Sequence, residues 1–178
     1  MSDSEMQIAI EREEDRYSRL RLIPWWDQKK IQTANVLVVG AGALGNEILK
    51  NLALLGFRNI VIVDLDRIEL TNLSRAVLFR EDQIGESKAD VAARGFRALQ
   101  EDSFVRALNA NVVLDCGLGL FAWSDVIIAG LDNREARLWI NRCLANEPAM
   151  DRRRDRGAKW HCPCFSTRPG AVLRVHSR

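Results

Sequence analysis

The residue pattern specifies an α/β fold, a mostly parallel sheet with helices on both faces. Three features carry that expectation. Val36 to Asp66 reads VLVVGAGALGNEILKNLALLGFRNIVIVDLD, a β-branched apolar run, a glycine turn, a helical period and a second apolar run. Further short apolar runs alternate with helical stretches to about Asn146, as βαβ units do. With 178 residues and a 47% hydrophobic fraction, the chain can bury one substantial core.

Each element follows from local chemistry. Glu5 to Leu22 has sparse apolar residues among charges, which predicts a surface helix, and Pro24 breaks it before a short second helix over Trp25 to Gln32. Residues 1–33 thus form an N-terminal helical arm. Asn35 to Val39 reads as a buried parallel strand, Leu44 to Leu55 as a helix stopped by Gly56, and Ile60 to Asp64 as a second strand. Leu65 to Gly85 is long and mixed, with Thr71-Asn72-Leu73-Ser74-Arg75 in its middle. Ser87 and Asp90 resemble a capping box that starts a helix through about Gln100. Val105 to Leu108 and Asp125 to Ala129 are candidate strands, with a short helix near Leu118 to Trp123 between them. Asn133 can cap a last helix running to about Asn146.

Gly40, Gly42 and Gly45 form a GxGxxG turn that follows a strand and opens a helix. Glycines there let the backbone turn tightly and approach a ligand, while the helix start offers unpaired N–H groups to phosphate. Asp64 lies 19 residues after Gly45, the spacing of a ribose-binding carboxylate. A dinucleotide oxidoreductase shares this half-fold. Ligands of open α/β sheets bind beyond the carboxyl ends of the strands, and two polar clusters fall there. One holds Asp64, Asp66, Asn72 and Arg75; the other is the pair Asp132-Asn133, with Lys88 at the start of the helix between them. Acids, an Asn and two cations at one sheet edge suit a nucleoside triphosphate with a divalent ion better than a nicotinamide cofactor.

Charge and cysteine usage exclude several classes. No apolar run approaches bilayer length, and the N-terminus is polar and acidic, unlike a signal peptide. A cytoplasmic protein that does not enter membranes is expected. The net charge of +2 conceals an asymmetry: residues 151–178 hold eight Lys and Arg against two Asp, while the rest is acidic. The tail's arginines have no helical period and no interleaved aromatics, so a nucleic-acid partner is not expected. Cys116, Cys143, Cys162 and Cys164 should be reduced, and the C-x-C pair at Cys162 and Cys164 has no second pair to complete a zinc site.

At these residues the chain resembles the ubiquitin-activating-enzyme superfamily. That group includes the bacterial ThiF, MoeB and HesA adenylyltransferases and the adenylation domains of eukaryotic activating enzymes. The runs that carry the resemblance are RYSR, GAGALGNEILKNLALLG, VDLDRIELTNLSR, FREDQIGESKA and IIAGLDNREARLWIN. The wording around Gly45 to Gly56 and Gly130 to Asn141 is especially similar to the NEDD8-activating branch. The resemblance implies a Rossmann-like fold and attack of a C-terminal glycine carboxylate, on a ubiquitin-like or sulfur-carrier protein, upon the α-phosphate of Mg-ATP. It implies that Gly40, Gly42 and Gly45 form the phosphate turn and that Asp64 holds the ribose. Asn72, Arg75 and Lys88 would contact phosphates, Asp132 would hold Mg²⁺, and Asp66 and Asn133 flank the same pocket. Arg19 would reach the ATP of a partner subunit, so the family's homodimer or heterodimer is expected.

Two departures stand out. Ala43 occupies a place where many members have a third glycine. Beyond residue 149 the family continues with a strand opening on a small-Gly-Gly run and an antiparallel half-sheet, often with zinc-binding cysteine pairs and a thioester-forming cysteine. This chain has none of that order; Cys116 and Cys143 fall at other places and read as small buried residues. Residues 1–149 are therefore read as the nucleotide-binding unit and residues 150–178 as an atypical Arg-rich tail, disordered or frameshifted. Reading one base later from Met150 forces Trp from Met-Asp and permits Trp-Ile-Asp-Gly-Gly, and Trp160 before His161 forces a Gly. The coding DNA decides that reading, and without the second half full activity is not expected of this chain.

Overall fold

The structure is a computed structural model, and it describes residues 15–145 and 172–173. From the arm onward its elements are α1 (Gln28–Thr33), β1 (Asn35–Val39), α2 (Ala43–Leu55), β2 (Asn59–Val63), α3 (Lys88–Leu99) and β3 (Phe104–Leu108). They continue as α4 (Leu118–Trp123), β4 (Val126–Ala129), α5 (Arg134–Ala145) and β5 (Val172–Leu173). The strands form one parallel sheet in the order β3-β2-β1-β4-β5, with Val38 opposite Ile62 on one side and Ile128 on the other.

Alternation along the strands sorts the core into two layers. Val36, Val38, Ile60, Ile62, Val105 and Ile128 pack under Leu49 and Ala53 of α2 and under Ala92 and Phe96 of α3. Leu37, Val39, Val61, Val63 and Ile127 face the opposite way, against Phe121 of α4 and Ile140 of α5. Phe121 meets Trp139 edge to face at 5.3 Å. Helices therefore cover both faces, as expected. Local signals place the helix ends. Ser87 Oγ accepts from the Asp90 amide at 3.4 Å at the start of α3, and Gly56, at φ +88°, stops α2 in the left-handed region.

The arm departs from expectation. Of the predicted Glu5 to Leu22 helix, residues 5–14 lie outside the described residues, and the rest is a turn followed by a 3-10 turn, Leu20–Leu22. The cause is local capping: Asp15 accepts from the Tyr17 amide at 2.9 Å while its own amide donates to Ser18 Oγ at 2.8 Å. Tyr17 is then buried against the C-terminal end of α2, where its hydroxyl donates to Gln100 Oε1 at 3.3 Å. The second helix begins three residues later than expected because Asp27 is its cap, accepting from the Lys30 amide at 3.1 Å. In the tail, Val172–Leu173 pairs with Ile127 and Ile128, and the other residues read as an atypical tail lie outside the described residues. An unpaired sheet edge accepts any short β-branched segment. The frameshift reading, Cys162 and Cys164 lie outside the described residues.

Candidate nucleotide-binding site

Three carboxyl ends of strands meet around the glycine turn. Gly40 has φ +93° and donates its amide to Val63 O at 2.8 Å, while Gly130 donates to Val39 O at 2.8 Å. A Cβ on Gly40 would lie 2.9 Å from Gly130 O, and one on Gly45 would lie 2.0 Å from Gly40 O. These glycines are required by the close approach of β1, β4 and α2. Gly42 differs. Its backbone is at φ −69° and a Cβ there would meet no atom within 4 Å. Among the described residues no atom requires glycine at 42; what its bare Cα leaves is open space over the start of α2, which no described side chain caps.

Asp64 closes this turn from β2. One carboxylate oxygen accepts from the Ala41 amide at 2.6 Å and the other from the Asp66 amide at 2.8 Å. Burial pushes its pKa above the ordinary carboxylate value; the two amides and Lys88 pull the other way, and Asp66 adds to the rise. Lys88 arrives from far along the chain because Arg67 bridges antiparallel to Ser87, which sets the Lys88 amide against Asp66 O at 2.9 Å. Its ammonium then binds Asp66 Oδ2 at 2.9 Å, with the lysine side chain 12% exposed and the aspartate 58%.

The other expected residues are placed as follows. Asn72 closes its own turn, accepting from the Glu69 amide at 3.0 Å, and Arg75 donates to Thr71 O at 3.2 Å on that same turn. Asn133 caps α5, accepting from the Glu135 and Ala136 amides at 2.8 and 3.3 Å. Asp132, two residues after Gly130, is exposed and engages in no hydrogen bond or ion pair among the described residues. Arg19 is exposed on the arm, which is latched to the opposite edge of the sheet through Tyr17 and through Arg16, whose guanidinium donates to Leu99 O at 3.1 Å. The structure thus brings together the glycine turn, Asp64, Asp66 and Lys88; Asp132 follows Gly130 and Leu131, which approach Gly40, and Arg19 lies on the latched arm.

Sequence reading missed Asn46. Fully buried at 0% exposure, it donates to Ala41 O at 2.6 Å and Gly42 O at 3.1 Å and accepts from the Leu78 amide at 2.9 Å. A signal existed, since Asn46 lies on the apolar stripe shared with Leu49 and Ala53. Cys116 and Cys143 are free and buried, and burial pushes both thiols up, away from the nucleophilic thiolate.

Metal chemistry is limited in the same terms. Among the described residues no group of three or more His, Cys, Asp or Glu could hold an ion. An exposed, unengaged carboxylate such as Asp132 fits Mg²⁺, which binds through one or two carboxylates together with substrate phosphates. Among the described residues no helix is long and apolar enough to cross a membrane.

Comparison with known proteins gives the family and the fold. The chain is 41% identical over 143 residues to the NEDD8-activating enzyme E1 catalytic subunit of Caenorhabditis elegans, an alignment covering 78% of this chain and 33% of that protein. It is 40% identical over 153 residues to SUMO-activating enzyme subunit 2 of Dictyostelium discoideum, covering 80% of this chain and 23% of that protein. It therefore spans a third or less of these relatives. Among solved structures, E. coli MccB with ATP superposes with a TM-score of 0.63 at 29% identity, over 74% of this chain and 41% of that one. A model of the ThiF family matches residues 14–150, the stretch that holds the glycine turn, Asp64, Lys88 and Asp132, and the chain belongs to that family.

Proposed function

We propose that this chain carries the nucleotide-binding half of an enzyme that adenylates the C-terminal glycine of a ubiquitin-like or sulfur-carrier protein with ATP. One observation carries the reading: the uncapped start of α2, with open space over Gly42, stands beside Asp64 and the Asp66–Lys88 pair. The glycine carboxylate attacks the α-phosphorus, a P–O bond forms, and the bond to the β-phosphate bridging oxygen breaks. Acyl-adenylate and pyrophosphate result with no proton transfer. Catalysis of this kind is positioning and charge neutralisation.

The amides at the start of α2 hold phosphate oxygens, Asp64 holds the ribose, and Lys88 neutralises phosphate charge on exchanging Asp66 for the ligand. Asn72 and Arg75 approach the phosphates from their own turn, and Asn133 shapes the pocket while capping α5. Asp132 is the residue that would hold Mg²⁺, which supplies Lewis-acid stabilisation of phosphate charge. Arg19 serves the site of a second subunit, in a homodimer or heterodimer. The names of the relatives, activating enzymes for NEDD8 and SUMO, support the class of protein substrate.

The test has two parts. Calorimetric titration with Mg-ATP and with NAD should show ATP bound more tightly; preference for NAD would replace the proposal with a dinucleotide oxidoreductase. Pyrophosphate exchange into ATP should appear only when a ubiquitin-like carrier is added. ATP binding without exchange would assign the chain to a non-catalytic partner subunit.

A further inference from the structure

We propose that Asn46 is a positioning residue for nucleotide binding, its buried carboxamide aiming the glycine-turn amides and tying that turn to the segment that follows Arg75. The inference rests on the nucleotide-binding reading above. Asn46 sits on the buried face of α2 with every heavy polar atom of its side chain engaged. A carboxamide buried among Leu49, Leu52 and Ala53 is costly unless so satisfied, and an apolar residue would pack there at no such cost. Its bonds therefore point to what it does.

The direction of those bonds matters. A trans peptide is planar, so its C=O and N–H point opposite ways. Asn46 Nδ2 draws Ala41 O inward at 2.6 Å, and the Gly42 N–H is turned outward by the same plane. A Cβ at Gly42 would meet no described atom within 4 Å, so the turn is uncovered there. Gly42 O is held inward twice, by Asn46 Nδ2 at 3.1 Å and by the Asn46 backbone amide at 2.9 Å, which turns the Ala43 N–H outward as well. The inward amides of the turn are held elsewhere, that of Ala41 by Asp64 and that of Gly40 by Val63 O. With the Gly40 amide so held, two side chains on different elements thus leave the Ala41 amide to the protein and turn those of Gly42 and Ala43 toward a ligand.

The remaining bond reaches across the site. Asn46 Oδ1 accepts from the Leu78 amide, three residues beyond Arg75, and among the described residues no other hydrogen bond joins α2 to that segment. Movement of the glycine turn is thereby coupled to the stretch that carries Asn72 and Arg75. Contacts made through planar, preorganised groups lose affinity steeply when misaimed.

Asn46→Leu and Asn46→Asp test this in the full chain. Leu removes all three bonds; Asp keeps an acceptor for Leu78 and loses both donors to the turn. Each variant that melts cooperatively should bind Mg-ATP about tenfold or more weakly, the effect falling on the KM for ATP more than on kcat where exchange is measurable. In the unaltered chain, the Asn46 side-chain amide and the Leu78 amide should shift in ¹⁵N spectra with the same Mg-ATP midpoint as Gly42. Wild-type affinity in a folded variant, or motionless Asn46 and Leu78 signals while Gly42 shifts, overturns the role. If neither variant folds, the spectra of the unaltered chain decide. An unaltered chain that binds no ATP defeats the proposed function instead, and the Asn46 role falls with it.

Discussion

A methyl group added at Gly42 and one added at Gly45 should have opposite consequences. At Gly45 the new Cβ would lie 2.0 Å from Gly40 O and 2.8 Å from Gly40 C, both backbone atoms that no rotamer can move. Relieving that overlap means prising α2 from the end of β1, and Gly45→Ala should cost about 3 kcal/mol or more. At Gly42 the Cβ would meet nothing and φ is already −69°. There the stiffer unfolded chain contributes about 0.4–1 kcal/mol of stability, offset by alanine's poorer performance as a helix cap, so the net change should lie within about 1 kcal/mol of zero. The Gly42 methyl would nonetheless stand over the first amides of α2, where a phosphate must approach, and should weaken Mg-ATP binding at least about tenfold. Urea denaturation followed by circular dichroism measures the first quantity and calorimetric titration the second. A Gly42→Ala chain that binds ATP within twofold of the unaltered one would refute the assignment of this turn to phosphate.

Four other outcomes follow from the same geometry. The raised pKa of Asp64 means that, between 3.8 and the raised folded value, the native state holds the proton more tightly than the unfolded chain does. Its contribution to stability is therefore present in acid and lost as pH rises through that window; the stability difference between the unaltered chain and Asp64→Asn should fall with pH, and a difference that rises contradicts the burial argument. Asp132→Ala should change stability by no more than about 0.5 kcal/mol, since the carboxylate is exposed and unengaged, while Mg-dependent pyrophosphate exchange disappears; unchanged exchange removes Asp132 from the site. Asn133→Ala should cost about 1 kcal/mol in a urea titration through loss of the α5 cap, and an unchanged midpoint would show that the cap contributes nothing. Mixing Arg19→Ala with Asp132→Ala chains should restore about a quarter of normal exchange, because half the dimers of a symmetric pair are mixed and each mixed dimer has one complete site; no recovery argues against a shared site.

The parts of the fold legible in the sequence were those determined by neighbours along the chain. The β1 and β2 runs, the Gly56 stop and the Ser87 cap act within one turn or one strand, and the structure places them within a residue of the expected ends. What failed to be legible depends on contacts between distant segments. Glu5 to Leu22 had enough apolar spacing to suggest a helix, yet Tyr17 is buried against Gly56 and bonded to Gln100, contacts with segments far along the chain. Lys88 meets Asp66 only because an antiparallel bridge at Arg67 and Ser87 folds the long intervening loop back on itself, and no periodicity encodes such a bridge. Asn46 was overlooked for the opposite reason: one polar residue in a good helical stripe is easily absorbed as tolerated, although its burial makes it the costliest position there to leave unsatisfied.

Arg19 shows how the fold constrains a role that resemblance alone suggests. Tyr17 is seated at Gly56, the C-terminal stop of α2, where a Cβ on that glycine would lie 2.5 Å from the tyrosine hydroxyl. The glycine turn lies at the other end of the same helix. Thirteen residues at about 1.5 Å each separate the two ends by about 20 Å. Arg16 bound to Leu99 O and Gln28 bound to Leu55 O at 2.9 Å hold the arm to that far edge on both sides of Arg19. With the arm held there, contact between Arg19 and nucleotide is expected at the site of another subunit. The latch that keeps the arm from its own site is also what would present it, already ordered, to a neighbour's.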